Sequence, residues 1–243
     1  MNKLTFGQGN SKLDRFTDTF SLPAGWTCPG AKYCLSQCNR TTGKLQDGKD
    51  CQFRCSAAFA ETLYKNVRVS RWYNLDLLKT CKSVKTTAEL IGTSLPSGAI
   101  KVRPGVSGDF YNQSYFDAWM NVAREYPNTL FYAYTKSIPF WLKRKNSIPK
   151  NFVLTASYGG KFDALIRPNN LKYAMVVYSV QEAKALGLEI DHDDSHAFSG
   201  KKSFALLLHS MQPAGTEACE AYTELKRQGI AGYVKHKAKR LTI

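Results

Sequence analysis

From residue 99 to residue 230, short apolar runs alternate with segments whose apolar residues recur at helical spacing. Five runs have the length and the β-branched or aromatic content of buried strands: AIKVRPGVS, TLFYAYT, NFVLTAS, YAMVVYS and KSFALLLHS. Between and after them, five segments predict helices: QSYFDAWMNVAREYP, IPFWLKRK, KFDALIR, VQEAKALGL and TEACEAYTELKRQG. Strands that alternate with helices predict parallel βαβ units.

The first hundred residues are less regular. RFTDTFSLP at 15–23 predicts a short strand, residues 56–80 predict one long helix, and KTTAELIGTSL predicts a shorter one. No repeat or low-complexity linker divides the chain, so we expect a single α/β domain over 1–243. Its architecture is expected to be a partial βα barrel or an open parallel sheet. It has an irregular cysteine-rich loop at 28–55, regular βα units at 99–230 and a basic tail at 234–243.

Small polar and charged residues stand where the predicted strands end. The carboxyl ends of parallel strands form the ligand-binding face of α/β sheets and barrels, so these residues predict a pocket. Asp109 and Lys136 are its candidate catalytic residues. Its candidate cofactor-binding residues are Ser107, Thr135, Thr155, Ser157, Ser179 and His209. Any single Ser or Thr among them could instead cap the helix that follows.

Charge suggests a partner. The chain has 34 Lys and Arg against 19 Asp and Glu, a formal net charge of +15. A field of that sign favours polyanions, so nucleic acid or a nucleotide is the expected partner, although some proteins are simply basic. No apolar run reaches the ~20 residues of a membrane span, and the N-terminus lacks the apolar core of a secretory signal. We therefore expect a cytoplasmic protein without a membrane partner.

Five of the seven cysteines fall within residues 28–55: Cys28, Cys34, Cys38, Cys51 and Cys55. In a cytoplasmic protein, such clustering indicates metal or redox chemistry rather than disulfides. The tight C-x2-C pairs of most zinc sites are absent, whereas an iron–sulphur cluster accepts wider spacing. An iron–sulphur cluster, a zinc ion and no metal at all remain open. All five are candidate ligands, with Cys28, Cys34 and either Cys38 or Cys55 first and Cys51 as a spare or fourth ligand.

The layout of a cysteine loop between a first strand and the first long helix of a βα chain resembles radical-SAM enzymes. In that family three cysteines of a C-x3-C-x2-C motif hold a four-iron cluster and leave one iron for S-adenosylmethionine. Here Cys34 and Cys38 have the first spacing, but Thr41 stands where the third cysteine should be. The resemblance implies an iron–sulphur cluster with S-adenosylmethionine as cofactors, and it is one of architecture.

A second resemblance covers nearly the whole chain. LTFGQGNSKL, SLPAGWTCPGAKYC, VSGDFYNQSYFDAW, LFYAYTKSIPFW, NFVLTAS, DHDDSHA and QPAGTEA are similar to the phage-encoded gene product 88 family. This resemblance implies a phage origin, a single domain and a location in the cytoplasm of the infected host cell. A host protein is then a further possible partner.

The stretch EIDHDDSHAF at 189–198 contains two of the four histidines. His192 and His196 would share a face if this stretch were helical, and could then hold a metal with an aspartate. An Asp–His pair could instead serve general acid–base catalysis, or the stretch could be a solvated acidic loop.

Three functions are therefore compatible with the sequence. The first is a radical-SAM-like iron–sulphur enzyme acting on nucleic acid or nucleotides. The second is a replication initiator that nicks DNA with a His/Asp metal site. The third is a non-catalytic module, stabilised by zinc, that binds nucleic acid or a host protein.

Overall fold

The computed structural model describes residues 2–9 and 13–230. The predicted basic tail at 234–243 lies outside these residues. The strands are β1 Gly7–Gln8, β2 Thr17–Ser21, β3 Ser36–Cys38, β4 Leu45–Asp47, β5 Lys101–Ser107, β6 Leu130–Thr135, β7 Phe152–Ser157, β8 Tyr173–Val177, β9 Glu189–Ile190 and β10 Phe204–Leu207. The helices are α1 Ser56–Leu63, α2 Lys65–Thr80, α3 Val84–Ser94, α4 Gln113–Glu125, α5 Ile138–Leu142, α6 Val180–Ala185, α7 Ser195–Phe198 and α8 Glu217–Arg227.

Eight of these strands form one mostly parallel sheet in the order β1-β2-β5-β6-β7-β8-β10-β9. Only β1 pairs antiparallel to its neighbour. The six strands from β2 to β10 lie side by side in chain order, so each crossover moves along the sheet in the same direction. This sequential winding also occurs in βα barrels and lacks the central reversal of a doubly wound sheet, but here the sheet is open, with β1 and β9 at its two edges. The predicted α/β class and parallel sheet are confirmed.

Both faces of the sheet are covered. On one face Phe20 of β2 and Phe131 of β6 pack against Phe116 and Trp119 of α4 in the largest apolar cluster. On the other face, the adjacent residue Tyr132 of β6 belongs to a second cluster with α7, where it lies against Phe198 with ring centroids 5.3 Å apart. This alternation follows from the two-residue period of a strand. The parallel pairing of β5, β6 and β7 brings their carboxyl ends to one edge.

The helix predicted over 56–80 is in fact two helices, because Tyr64 takes an extended conformation with φ −121° and ψ 99°. The break brings α2 back along α1. Arg68 Nη1 then donates to the Glu61 carbonyl oxygen at 2.6 Å, and Arg71 Nη1 donates to that of Ala57 at 2.7 Å. These guanidinium groups bind carbonyl groups of α1 and therefore hold the two short helices together.

Two further local predictions were wrong. The segment KFDALIR forms only a 3-10 turn at Asp163–Leu165, since the Asp163 carboxylate accepts from the backbone N–H groups of Gly159 and Gly160 and Pro168 follows closely. The cysteine-rich loop is also more regular than expected, because β3 and β4 pair within it as an antiparallel hairpin.

Candidate functional site

The cysteine-rich segment lies against the carboxyl edge of the sheet. Its backbone joins the end of β7 through a bridge between Ala31 and Gly160 and through Tyr33 N–H, which donates to the Gly159 carbonyl at 2.9 Å. Gly30 touches the end of β6, where a Cβ atom at residue 30 would lie 2.2 Å from the Lys136 carbonyl oxygen. Only glycine fits this approach, so the segment is pressed closely onto the strand ends.

Three of the five cysteines come together at this edge. Cys34 and Cys55 line one cavity of about 170 Å³, together with His209 from the end of β10. Cys28 belongs to the same group, since burial raises the pKa of its thiol well above the usual value, and the neighbouring Asp109, Cys55 and Cys34 raise it further. Residues from both ends of the 28–55 segment therefore meet beside the strand end that carries Asp109.

Backbone N–H groups point at two of these sulphur atoms. The Gly25 N–H donates to Cys28 Sγ at 3.3 Å. Cys55 is the residue that precedes α1. Burial and the nearby Cys34 raise the pKa of Cys55 to about 11, while hydrogen bonds from the N–H groups of Ala58 and Ala57 act to lower it. Such donors stabilise a thiolate once a metal has displaced its proton.

Cys38 and Cys51 have other surroundings. Cys38 is buried in β3, its thiol donates to the Asn39 carbonyl at 3.7 Å, and it accepts from Thr62. The thiol of Cys51 donates to the Phe53 carbonyl at 3.3 Å. Burial raises the pKa of the Cys51 thiol, and the nearby Cys34 raises it further, so Cys51 lies close to the group of three, whereas Cys38 contacts Asn39 and Thr62 instead. Within residues 2–9 and 13–230, no group of three or more His, Cys, Asp or Glu side chains is arranged to hold a metal ion.

Polar side chains at the carboxyl ends of the strands lie beside the three thiols. The buried Asp109 carboxylate accepts from Thr135 Oγ1 at 2.7 Å and from the Lys136 N–H at 2.8 Å. Burial raises the pKa of Asp109, although these hydrogen bonds oppose the rise. Lys136 Nζ reaches Ser157 Oγ at 2.5 Å, which links the ends of β6 and β7. The structure therefore brings together Asp109, Thr135, Lys136 and Ser157 as a network.

The remaining predicted cofactor-binding residues differ in their surroundings. Ser107 Oγ donates to the Leu22 carbonyl at 2.8 Å, and Ser179 caps α6 by accepting from the Glu182 N–H at 3.0 Å. Thr155 is fully buried, and its hydroxyl has no hydrogen-bond partner among the described residues. His209 joins the cavity of Cys34 and Cys55, with its Nδ1 3.0 Å from Ser210 Oγ. The hydroxyl groups of Ser107 and Ser179 are thus hydrogen-bonded to main-chain groups.

The expected helical face of His192 and His196 does not form. The helix α7 begins only at Ser195, because Asp194 takes a left-handed conformation with φ 66°, so exposed His192 lies outside it. His196 Nδ1 is 3.0 Å from Asp191 Oδ1, and its Nε2 is 3.1 Å from Glu189 Oε2. Both ring nitrogens are thereby engaged by carboxylates, and this stretch packs near the amino ends of the strands, away from the thiols.

Two buried ion pairs near the strands were not predicted. Glu61 of α1 is fully buried, and its Oε1 accepts from the Ala24 N–H and from Arg71 Nη1, both at 2.8 Å. It therefore ties the turn before Cys28 to α2. On the other face of the sheet, Arg103 Nη1 donates to buried Asp194 at 2.5 Å. Charged residues that stand among apolar ones in the sequence could have indicated these ion pairs, but the sequence does not show which charged residues are buried.

A family model described as Gene product 88 matches residues 2–226 of the chain. The chain belongs to the Gene product 88 family. This membership confirms the resemblance drawn from the sequence motifs and supports a phage origin. No curated protein and no solved structure matches this Gene product 88 protein, so the comparisons do not support the resemblance to radical-SAM enzymes. Among the helices of the described residues, none is long and apolar enough to cross a membrane.

Proposed function

We propose that this Gene product 88 protein binds an iron–sulphur cluster through Cys28, Cys34 and Cys55 and uses it with S-adenosylmethionine as an enzyme. One observation carries the proposal: three thiols from the two ends of a 28-residue segment meet at the carboxyl edge of six sequentially wound parallel strands. In α/β folds this edge is where ligands and catalytic residues lie.

The chemistry of the donor set favours a cluster over a single ion. A cluster spans several ångströms and is held by cysteine thiolates, so it accepts thiols that are spread over a wider space than the ligands of one ion. The N–H donors at Cys28 and Cys55 supply the hydrogen bonds that tune such a cluster. Three cysteines would leave one iron without a protein ligand, as S-adenosylmethionine requires.

The neighbouring network supplies groups for S-adenosylmethionine. The Lys136 ammonium and the Ser157 hydroxyl offer a charged and a neutral donor for its carboxylate, and Asp109 holds Lys136 in place through the backbone. A cluster reduced by an external one-electron donor such as dithionite would supply the electron for reductive cleavage of S-adenosylmethionine, and Lys136 and Ser157 would hold the cofactor's carboxylate beside it.

A structural zinc site is the second candidate. His209 shares the cavity of Cys34 and Cys55, so these three residues and Cys28 comprise the ligand types of a Cys3His site. The chain would then be a non-catalytic binding module. In either case, the net charge of +15 supports nucleic acid as a partner in the cytoplasm of the infected host.

Anaerobic reconstitution with iron and sulphide tests the proposal. We expect a brown protein that absorbs near ~400 nm and cleaves S-adenosylmethionine when reduced. Cys28→Ser, Cys34→Ser and Cys55→Ser should each lose most of the iron. The matched control Cys81→Ser changes a cysteine outside the segment and should keep it. Stoichiometric zinc in a colourless protein would favour the structural site, and equal iron in all four variants would refute the ligand assignment.

A further inference from the structure

A cavity larger than the one at Cys34 lies between the cysteine-rich segment and the ends of β7 and β8. Its volume is about 650 Å³, within the range of about 300–1,000 Å³ that is typical of small-molecule sites. Four aromatic residues line it, Tyr33 and Phe53 from the cysteine-rich segment and Tyr158 and Tyr178 from the ends of β7 and β8. Cys51 lines this cavity, and Cys28, Cys34 and Cys55 are not among its lining residues.

The aromatic walls are held by contacts outside the cavity. Tyr178 donates its hydroxyl to the Gln52 carbonyl at 3.1 Å, which ties the end of β8 to the cysteine-rich segment. The ring of Tyr158 packs edge to face on Tyr173, with centroids 4.9 Å apart. Four aromatic rings on fixed walls suit a planar ligand, because ring faces and edges give both dispersion and quadrupole attraction.

The charged residues that line this cavity are acidic, opposite in sign to the net charge of the protein, while Lys32 Nζ lies 5.1 Å from the centroid of the Tyr33 ring and Arg167 lies beside Tyr158, both outside the lining. Its charged lining residues within the described chain are Asp163, Glu182 and Glu217, and no lysine or arginine is among them. The first turn of α8 would otherwise attract a phosphate, but Glu217 stands there and Thr216 Oγ1 already accepts from the Cys219 N–H at 3.2 Å. The lining therefore disfavours a phosphate and favours a cation over aromatic faces.

We propose that this cavity binds a small organic cation that carries a planar ring and no phosphate. The assignment of this ligand as the substrate rests on the proposed function, whereas its binding requires no cluster. A nucleotide, which the net charge would favour, is the competing ligand.

Three probes separate these ligands in calorimetric titrations of the full chain. Tryptamine has an indole ring and an ammonium group, indole-3-acetate has the same ring with a carboxylate, and adenosine 5′-monophosphate is the nucleotide. We expect tryptamine to bind at least about tenfold more tightly than either anion. Glu182→Gln combined with Glu217→Gln should weaken tryptamine about tenfold, since both carboxylates face the cavity. Glu220→Gln, in the same turn of α8 but outside the lining, is the control and should change nothing.

Several results would overturn the inference. They are the absence of tryptamine binding, binding of either anion as tight as that of tryptamine, or equal tryptamine affinity in the double variant and the wild type. Circular dichroism of each variant confirms that it is folded. The same titration in Cys28→Ser and Cys55→Ser proteins distinguishes the two proposals. Tryptamine binding that persists in these variants shows that this site does not need the cluster, whereas failure of the wild-type protein to take up iron would refute the cluster and leave this site standing.

Discussion

Removing the Glu61 carboxylate tests how the cysteine-rich segment is held. Glu61 is fully buried, and its partner Arg71 is 10% exposed. In Glu61→Ala, the Ala24 N–H and one Arg71 N–H lose their acceptor, and the guanidinium keeps only the Ala57 carbonyl as a described partner. Stranding one member of a buried pair costs about 3–5 kcal/mol, a large part of the ~5–15 kcal/mol by which most domains are stable.

Urea unfolding followed by circular dichroism measures this change in the free energy of unfolding. The control is Asp76→Ala, which breaks a pair with Arg40 whose side chains are 45% and 53% exposed and should cost less than about 1 kcal/mol. A Glu61→Met/Arg71→Met double variant should recover part of the loss, because no charge is then left buried. A loss below about 1 kcal/mol in Glu61→Ala would refute the role assigned to this pair.

Three further predictions concern other parts of the structure. Partial burial lowers the pKa of His196, but its two carboxylate partners outweigh this and raise it above the usual 6.5. Its contribution to stability is therefore complete below about pH 6.5 and is lost as the pH rises through the folded-state pKa. In urea titrations across this range, His196→Gln should remove that part of the slope, and an unchanged slope would contradict the assignment. Thr155→Val replaces a buried hydroxyl that has no described partner, so the free energy of unfolding should stay equal or rise by up to about 1 kcal/mol, and a loss above about 1 kcal/mol would reveal a missing partner. Gly30→Ala places a Cβ atom 2.2 Å from the Lys136 carbonyl oxygen, so it should lower the free energy of unfolding by about 1–3 kcal/mol and reduce iron uptake, and wild-type values would show that the segment is not pressed onto β6.

Much of the fold was predictable because two kinds of periodicity separate strands from helices. The apolar run that forms β6 predicts a strand, and the helical spacing of Phe116 and Trp119 predicts α4. The alternation of such segments indicates a parallel sheet. The break at Tyr64 was not predictable, because the apolar pattern runs on through residue 64 and does not show that Arg68 and Arg71 bind carbonyl groups of α1 once the helix has turned back.

The sequence predicted which segment contributes cysteines to the candidate site, but not how those cysteines are arranged. Cysteine spacing identified the segment, but the direction of each thiol depends on the hairpin of β3 and β4, which buries Cys38 and turns it toward Asn39. His192 and His196 do not share a helical face, because Asp194 takes a left-handed conformation and α7 starts only after it. Local backbone conformation of this kind leaves little trace in a hydrophobic pattern.

A crystal structure of the anaerobically purified protein, with anomalous scattering measured on both sides of the iron absorption edge, tests the central claim most directly. The account predicts iron density bonded to the sulphur atoms of Cys28, Cys34 and Cys55, with Cys38 and Cys51 outside the cluster. Zinc at this position, or iron bound by any other set of residues, would contradict it.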